Sequence, residues 1–338
     1  MALLATLHRW AGATIGLLLV VLGLSGTVLI WESEWIGLPG VDDPVSAAPA
    51  ALAQTVEAAS VHRPGLSRIT FASDDMALHQ AAYSDGSGAY LDQSGTIVDA
   101  WPTMWERPEL WIFDLHYYFF AGKTGAIVVG VAGIAGVLFV VSGVILWWRT
   151  RRTFVFRLWP KRMTRSAIIR QHRDLGIVMA PLLFVTLLTG GAMIFDPVSN
   201  AIVAPFPERS SPTRTLETRV DQGDWHAVFR MAEQAFPDAA LRRLQFAEDG
   251  ATLRMRQSFE WTPNGRTYLR IDRSGTVNID APDGTLDRQS VSEKFYPVHA
   301  GKVGGLAWKV LLTLAGLSLV ILGALAAFGF WAMRKGKR

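Results

Sequence analysis

The sequence predicts a membrane α-helical protein: a four-helix transmembrane bundle built by parallel internal duplication, with two small α+β modules outside the membrane. Three observations lead there. Four apolar runs, at roughly 4–31, 126–148, 172–195 and 306–331, are each long enough to cross a bilayer as a helix. The stretch HRWAGATIGLLLVVLGLSGTVLIW from His8 to Trp31 overlays HRDLGIVMAPLLFVTLLTGGAMIF from His172 to Phe195 without a gap. The two share the His, the Arg, Gly12 with Gly176, and Gly26 with Gly190. Finally, the basic residues gather beside the apolar runs, as membrane topology requires, and are not spread as a nucleic-acid-binding face. A hydrophobic fraction of 50% and a mean hydropathy of +0.23 agree with spans alternating with polar segments.

The elements follow in order. Residues 1–32 form the first span, read as an uncleaved anchor, because its apolar run far exceeds a signal-peptide core of about 7–15 residues. Residues 33–108 form a polar module, with a helix at 47–61 and strands at 67–72, 77–83 and 89–100, the last broken at Asp92-Gln93-Ser94-Gly95. Residues 109–148 hold a short aromatic interfacial helix and the second span. The loop 149–171, extended to Arg173, carries Arg149, Arg151, Arg152, Arg157, Lys161, Arg162, Arg165, Arg170 and Arg173 and no acid, so it is cytoplasmic by the positive-inside rule. The third span is 172–195. Residues 196–297 form the second polar module, with a helix at 224–236 and strands at 240–247, 252–260, 266–271 and 276–279. Its Ser274-Gly275-Thr276-Val277 echoes Ser94-Gly95-Thr96-Ile97. The fourth span occupies 298–333, and the basic tail 334–338 puts the C-terminus inside with the N-terminus.

Each half thus reads span, exported module, interfacial stretch, span. Both first spans run outward, so the pseudo-two-fold axis lies along the membrane normal. That symmetry lets His8 face His172 on the inner side and His116 face His299 on the outer side. His62, His79 and His226 form no repeated set. At 100° per residue, Gly12, Gly16, Gly23 and Gly26 fall near the His8 face, as Gly176, Ala180 and Gly190 do for His172. Small residues on one face fit a packing seam, and equally room for a flat macrocycle. An interfacial histidine can also be an amphipathic side chain at headgroup level.

The chain has no cysteine, which excludes disulfides, iron–sulfur ligation, covalent haem attachment and thiolate chemistry. Zinc takes four ligands, which two histidines per site do not supply. Two axial imidazoles do complete a haem iron. Arg9 and Arg173 beside the inner pair, and Lys123 and Lys302 near the outer pair, are candidates to hold haem propionates; ordinary membrane anchoring is the competing explanation. No nucleotide-binding fingerprint is present. A non-redox scaffold whose modules bind peptides or inhibit an extracytoplasmic protease has no use for paired boundary histidines. A transporter would show more ionisable residues or broken helices at mid-span.

The His-Arg-x-x-Gly span openings, the His before Gly122-Lys123-Thr124-Gly125, the Trp147-Trp148-Arg149 exit and His299-Ala300-Gly301-Lys302-Val303-Gly304 resemble the PepSY-associated transmembrane proteins, which include bacterial inner-membrane ferric-siderophore reductases. The resemblance spans nearly the whole chain. It implies PepSY-like modules in the periplasm and two non-covalent b-type haems, the inner on His8 and His172, the outer on His116 and His299. It further implies electrons passing from a cytoplasmic or quinol donor to ferric iron or a ferric siderophore outside. One departure stands out: His116 lies six residues before Gly122, but His299 only two before Gly301.

Overall fold

The computed structural model describes residues 1–156, 160, 162–209, 213–216, 219–221 and 223–331. The tail 334–338, Arg157 and Lys161 lie outside the described residues. In chain order the elements are α1 (Ala2–Ile30), α2 (Glu32–Trp35), α3 (Pro49–His62), β1 (Leu66–Thr70), β2 (His79–Tyr83), β3 (Gly88–Leu91), β4 (Ile97–Trp101), α4 (Pro108–Tyr118) and α5 (Gly122–Trp148). Then come α6 (Arg165–Ile194), α7 (Asp196–Val203), β5 (Arg214–Thr215), α8 (Trp225–Ala235), β6 (Ala240–Ala247), β7 (Gly250–Arg256), β8 (Thr267–Asp272), β9 (Val277–Asp280), α9 (Arg288–Ser292), α10 (Phe295–His299) and α11 (Gly305–Trp331). The chain divides into a helical unit (residues 1–31, 112–204 and 295–338) and a sheet unit (residues 32–111 and 205–294).

In the helical unit, α1, α5, α6 and α11 are each long and apolar enough to cross a membrane, so the chain is a membrane protein in a lipid bilayer. The third begins at Arg165, ahead of the apolar run, because residues 165–171 hold no Gly or Pro to stop it. Round the bundle, α1 packs on α11, α11 on α6, α6 on α5 and α5 on α1, leaving α1 and α6 diagonal. Glycines set the closest approaches. A Cβ on Gly23 would stand 2.8 Å from the Gly316 carbonyl oxygen, and one on Gly323 would stand 2.8 Å from that of Gly16. Those register pairs run antiparallel, and their small residues let the backbones touch where lipid offers no hydrophobic drive.

The sheet unit departs from the expectation of two modules. Its strands form one antiparallel sheet in the order β4-β3-β2-β1-β6-β7-β8-β9-β5. The two polar segments meet where Arg68, Ile69 and Thr70 of β1 pair with Gln245, Leu244 and Arg243 of β6. Kept apart, each segment would expose an edge strand and half a core; joined, they remove both edges. Helices α3 and α8 share one core over this seam, with Val56, Ala59, Val228 and Phe229 packed among Ile69, Leu244, Leu253 and Leu269. The echoed Ser-Gly-Thr segments make matching hairpin turns. Asp92 Oδ1 accepts from the N–H groups of Ser94 and Thr96, and Asp272 Oδ1 from those of Ser274 and Thr276. Gly95 and Gly275 each take a φ of +81°, the left-handed conformation that favours glycine there.

Candidate functional site

The structure brings the four predicted histidines together in the two predicted pairs. His8 of α1 and His172 of α6 meet across the bundle diagonal with ring centroids 6.2 Å apart and planes at 82°. His116 of α4 and His299 of α10 are also 6.2 Å apart, at 45°. Two imidazoles sharing one metal ion through nitrogen bonds of about 2 Å, with their ring radii added, have centres about 6 Å apart. Direct stacking would bring them closer.

Hydrogen bonds fix which nitrogen each ring offers. His172 Nδ1 lies 3.1 Å from the Leu322 carbonyl oxygen, and His299 Nδ1 lies 2.9 Å from that of Thr186. A carbonyl only accepts, so Nδ1 carries the proton and Nε2 the lone pair. His8 Nδ1 lies 2.7 Å from Ser142 Oγ, and His116 Nδ1 lies 3.0 Å from Ser25 Oγ. Each of these hydroxyls donates within its own helix, Ser142 to Leu138 O at 2.7 Å and Ser25 to Val21 O at 2.8 Å. The hydroxyl oxygens therefore accept from the histidines, and all four rings present Nε2 as a metal-ready lone pair. At the outer pair, burial and the neighbouring His299 ring push the His116 imidazole down to about 3, which keeps it neutral.

Laid over each other, the first and third helices put Ser25 on Thr189 and Leu22 on Thr186. The outer histidines follow that overlay. His116 Nδ1 lies 3.0 Å from Ser25 Oγ; His299 Nδ1 lies 2.9 Å from the Thr186 carbonyl oxygen and 3.4 Å from Thr189 Oγ1. Gly26 and Gly190 seat the same rings: a Cβ on either would stand 2.8 or 2.9 Å from Cε1 of His116 or His299. The hydroxyls were the residues that sequence reasoning missed. Their signal was present, since Ser25 falls on Thr189 in the gap-free overlay. Ser142 had no such signal, because the other half uses a main-chain carbonyl in its place.

The unequal spacing to the Gly-Lys motifs is absorbed locally. After α4, Phe119 and Phe120 take φ values of 45° and 58°, which turn the chain before Gly122, whereas α10 ends on His299 itself. Non-glycine residues in this region carry backbone strain of the kind often found beside functional sites.

The inner pair faces a cavity of about 460 Å³ between the four long helices, a size that suits a bound organic cofactor. Gly12, Gly136, Gly143 and Gly176 are among its walls, with Phe139, Leu183, Leu187 and Leu319. A Cβ on Gly12 would meet nothing within 4 Å, so the space beside His8 is open. The donor set, the ring separation and a glycine-walled apolar cavity fit a flat macrocycle carrying a metal with two axial sites. Arg9 is exposed at the cavity, where Arg165 also stands. Arg173 reaches it too, but its guanidinium is engaged by Asp174 Oδ1 at 2.6 Å and by Thr153 Oγ1 and O at 2.9 and 3.0 Å. That residue therefore ties the loop between α5 and α6 to α6, a task the sequence did not announce. Lys123 is exposed in the first turn of α5, and Lys302 is half-buried between α10 and α11.

The remaining histidines are accounted for. His79 is buried and accepts the Ala72 N–H on Nδ1, with burial pushing its pKa down to about 4; His62 and His226 are exposed.

Fold and site together define a membrane protein of four long helices with paired histidines and an antiparallel sheet unit. The chain belongs to the family described as the PepSY-associated TM region, whose profile matches residues 5–334. No curated protein matches it.

Proposed function

We propose that this protein is a di-haem b transmembrane electron-transfer protein. It would reduce ferric iron or a ferric siderophore outside a bacterial inner membrane, with electrons from a cytoplasmic donor or the quinol pool. The observation that carries this is the two histidine pairs, each 6.2 Å apart, with all four Nδ1 atoms held by oxygen. His8 and His172 would hold the inner haem and His116 and His299 the outer one. The bound haems would supply the one-electron redox couple. The chain's own contribution is to orient the imidazoles, fix their tautomers and exclude water with apolar helix faces. From His8 to Gly26, and from His172 to Gly190, is about five helical turns, or about 27 Å along the axis. Both sites therefore lie on one face of each helix and toward opposite sides of a bilayer.

The matched contacts of Ser25 and Thr189, and the matched turns at Asp92 and Asp272, support a parallel duplication. The basic residues Arg149, Arg151, Arg152, Arg162, Arg165 and Arg170 support a cytoplasmic loop, both termini inside and the sheet unit in the periplasm. Reduction would promote iron release, because oxygen-rich chelators suit hard Fe(III) better than Fe(II).

A visible spectrum of the purified protein tests the reading. A Soret band, and reoxidation of the dithionite-reduced protein by a ferric siderophore, are expected. No Soret band sinks the haem assignment and leaves the scaffold alternative. Haem that ferric chelates fail to reoxidise removes the ferric-reductase part alone.

A further inference from the structure

The sheet unit holds a second pocket, of about 220 Å³, that the electron-transfer reading does not use. It lies where the loop after β7, the start of β8 and the segment carrying α9 converge. Arg266 and Glu260 on its wall are each at least nine-tenths buried, with 4% and 5% exposure. Nε and Nη2 of Arg266 have no aligned hydrogen-bond acceptor among the described residues, and Oε1 of Glu260 has no aligned donor. Glu260 Oε2, by contrast, accepts the Gln257 N–H at 2.5 Å. Leaving a buried atom such as Glu260 Oε1 without a hydrogen bond costs about 1–3 kcal/mol, so its persistence needs a reason.

These atoms, without aligned hydrogen bonds, describe their complement. Nε and Nη2 form one edge of the guanidinium, the fork that takes both oxygens of a carboxylate. The free oxygen of Glu260 calls for a cationic or N–H donor. Trp261 supplies a cation-accepting face, shown by the Lys294 ammonium 4.7 Å above its ring. A ligand carrying a carboxylate and an ammonium on one carbon answers all of these and adds no net charge to a buried site. The pocket volume, below the usual range of about 300–1,000 Å³ for drug-sized ligands, limits it to a small molecule.

We propose that this pocket binds a free α-amino acid with a small side chain, its carboxylate on Arg266 and its ammonium on Glu260 beside Trp261. The neighbouring charges allow it. Asp287 Oδ1 lies 3.9 Å from Arg266 but is occupied by the Ser290 N–H as the cap of α9. Among the described residues, Glu293 makes the one close ionic contact to Arg266, 3.2 Å from Nε, without hydrogen-bond alignment. Burial pushes Glu293 up to about 7, against the pull of Arg266, Arg254 and Arg209 and with the push of Glu260. Burial thus favours the neutral carboxyl, which holds the guanidinium edge less tightly.

Calorimetric titration of the full-length protein in detergent, against glycine, L-alanine, L-serine and L-valine, tests this. Saturable binding at about 1 mM or tighter is expected for at least one of them. The N-acetyl derivative, lacking the ammonium, and the carboxamide, lacking the carboxylate, should each bind about tenfold more weakly or worse. Those two arms need no variant. Glu260→Gln and the wall variant Trp261→Ala should weaken binding severalfold, with near-UV circular dichroism unchanged. Absence of binding by all four amino acids overturns the proposal, as does equal binding of both blocked derivatives. Unchanged affinity in both folded variants overturns it as well.

Discussion

The inner and outer histidine pairs share a separation and a tautomer but are built differently. The inner pair comes from two diagonal spanning helices, stands nearly perpendicular and opens on a cavity. The outer pair comes from the short helices α4 and α10, and each ring is pressed against a glycine of a long helix. His299 has two oxygens at Nδ1, Thr186 O and Thr189 Oγ1, whereas His116 has Ser25, His8 has Ser142 and His172 has Leu322 O. One geometry can therefore be reached through space left open between helices or through space carved out of a helix face. The two should fail under different substitutions.

The largest effect should come from removing a ligand on one side. His172→Ala should abolish the inner haem and His299→Ala the outer, each halving the haem-to-protein ratio in a pyridine haemochrome assay. Loss of both haems from either variant would show that the pairs do not act as separate sites.

Blocking the seats comes next. Gly26→Ala or Gly190→Ala puts a methyl less than 3 Å from an outer imidazole carbon. Such overpacking costs about 1–3 kcal/mol, so the outer haem should be lost preferentially and the inner retained. Gly12→Leu should do the reverse by filling the open space beside His8.

A smaller effect is expected from the tautomer locks. Ser142→Ala leaves His8 Nδ1 without its hydroxyl partner, a loss of about 1 kcal/mol, and outer-shell changes of this kind weaken metal binding about 10–100-fold. Thr189→Ala leaves His299 its bond to the Thr186 carbonyl, so haem retention measured by apomyoglobin transfer should change less. Equal losses in the two variants would contradict the tautomer assignment.

The subtlest difference is spectroscopic. Ring planes at 82° and 45° should give two distinct low-spin ferric signals in electron paramagnetic resonance, the more anisotropic one from the inner site. His172→Ala should delete that signal. A single, identical pair of signals would show that the two ring geometries converge on cofactor binding.

Much of this was legible in the chain itself. Strands β6, β8 and β9 fall within about two residues of their alternating patterns, because one face of each meets the core. The histidine pairing followed from repeat symmetry. The seam between β1 and β6 was not legible, since pairing across more than 170 residues leaves no periodicity in either strand. Nor was Arg173: a cation beside a span reads as an anchor until Asp174 and Thr153 are seen around it.

The sequence by itself determined the four membrane-length helices, the repeated His-Arg-x-x-Gly openings and the Ser-Gly-Thr turns, because each depends on hydropathy, spacing or local backbone preference. Only the tertiary structure decided that the polar segments share one sheet, that Gly16 and Gly23 pack helices while Gly26 seats a histidine, and which oxygen fixes each imidazole. Those outcomes depend on which helix face or strand edge a residue meets across the fold, and partners distant in the chain leave no local trace of that meeting.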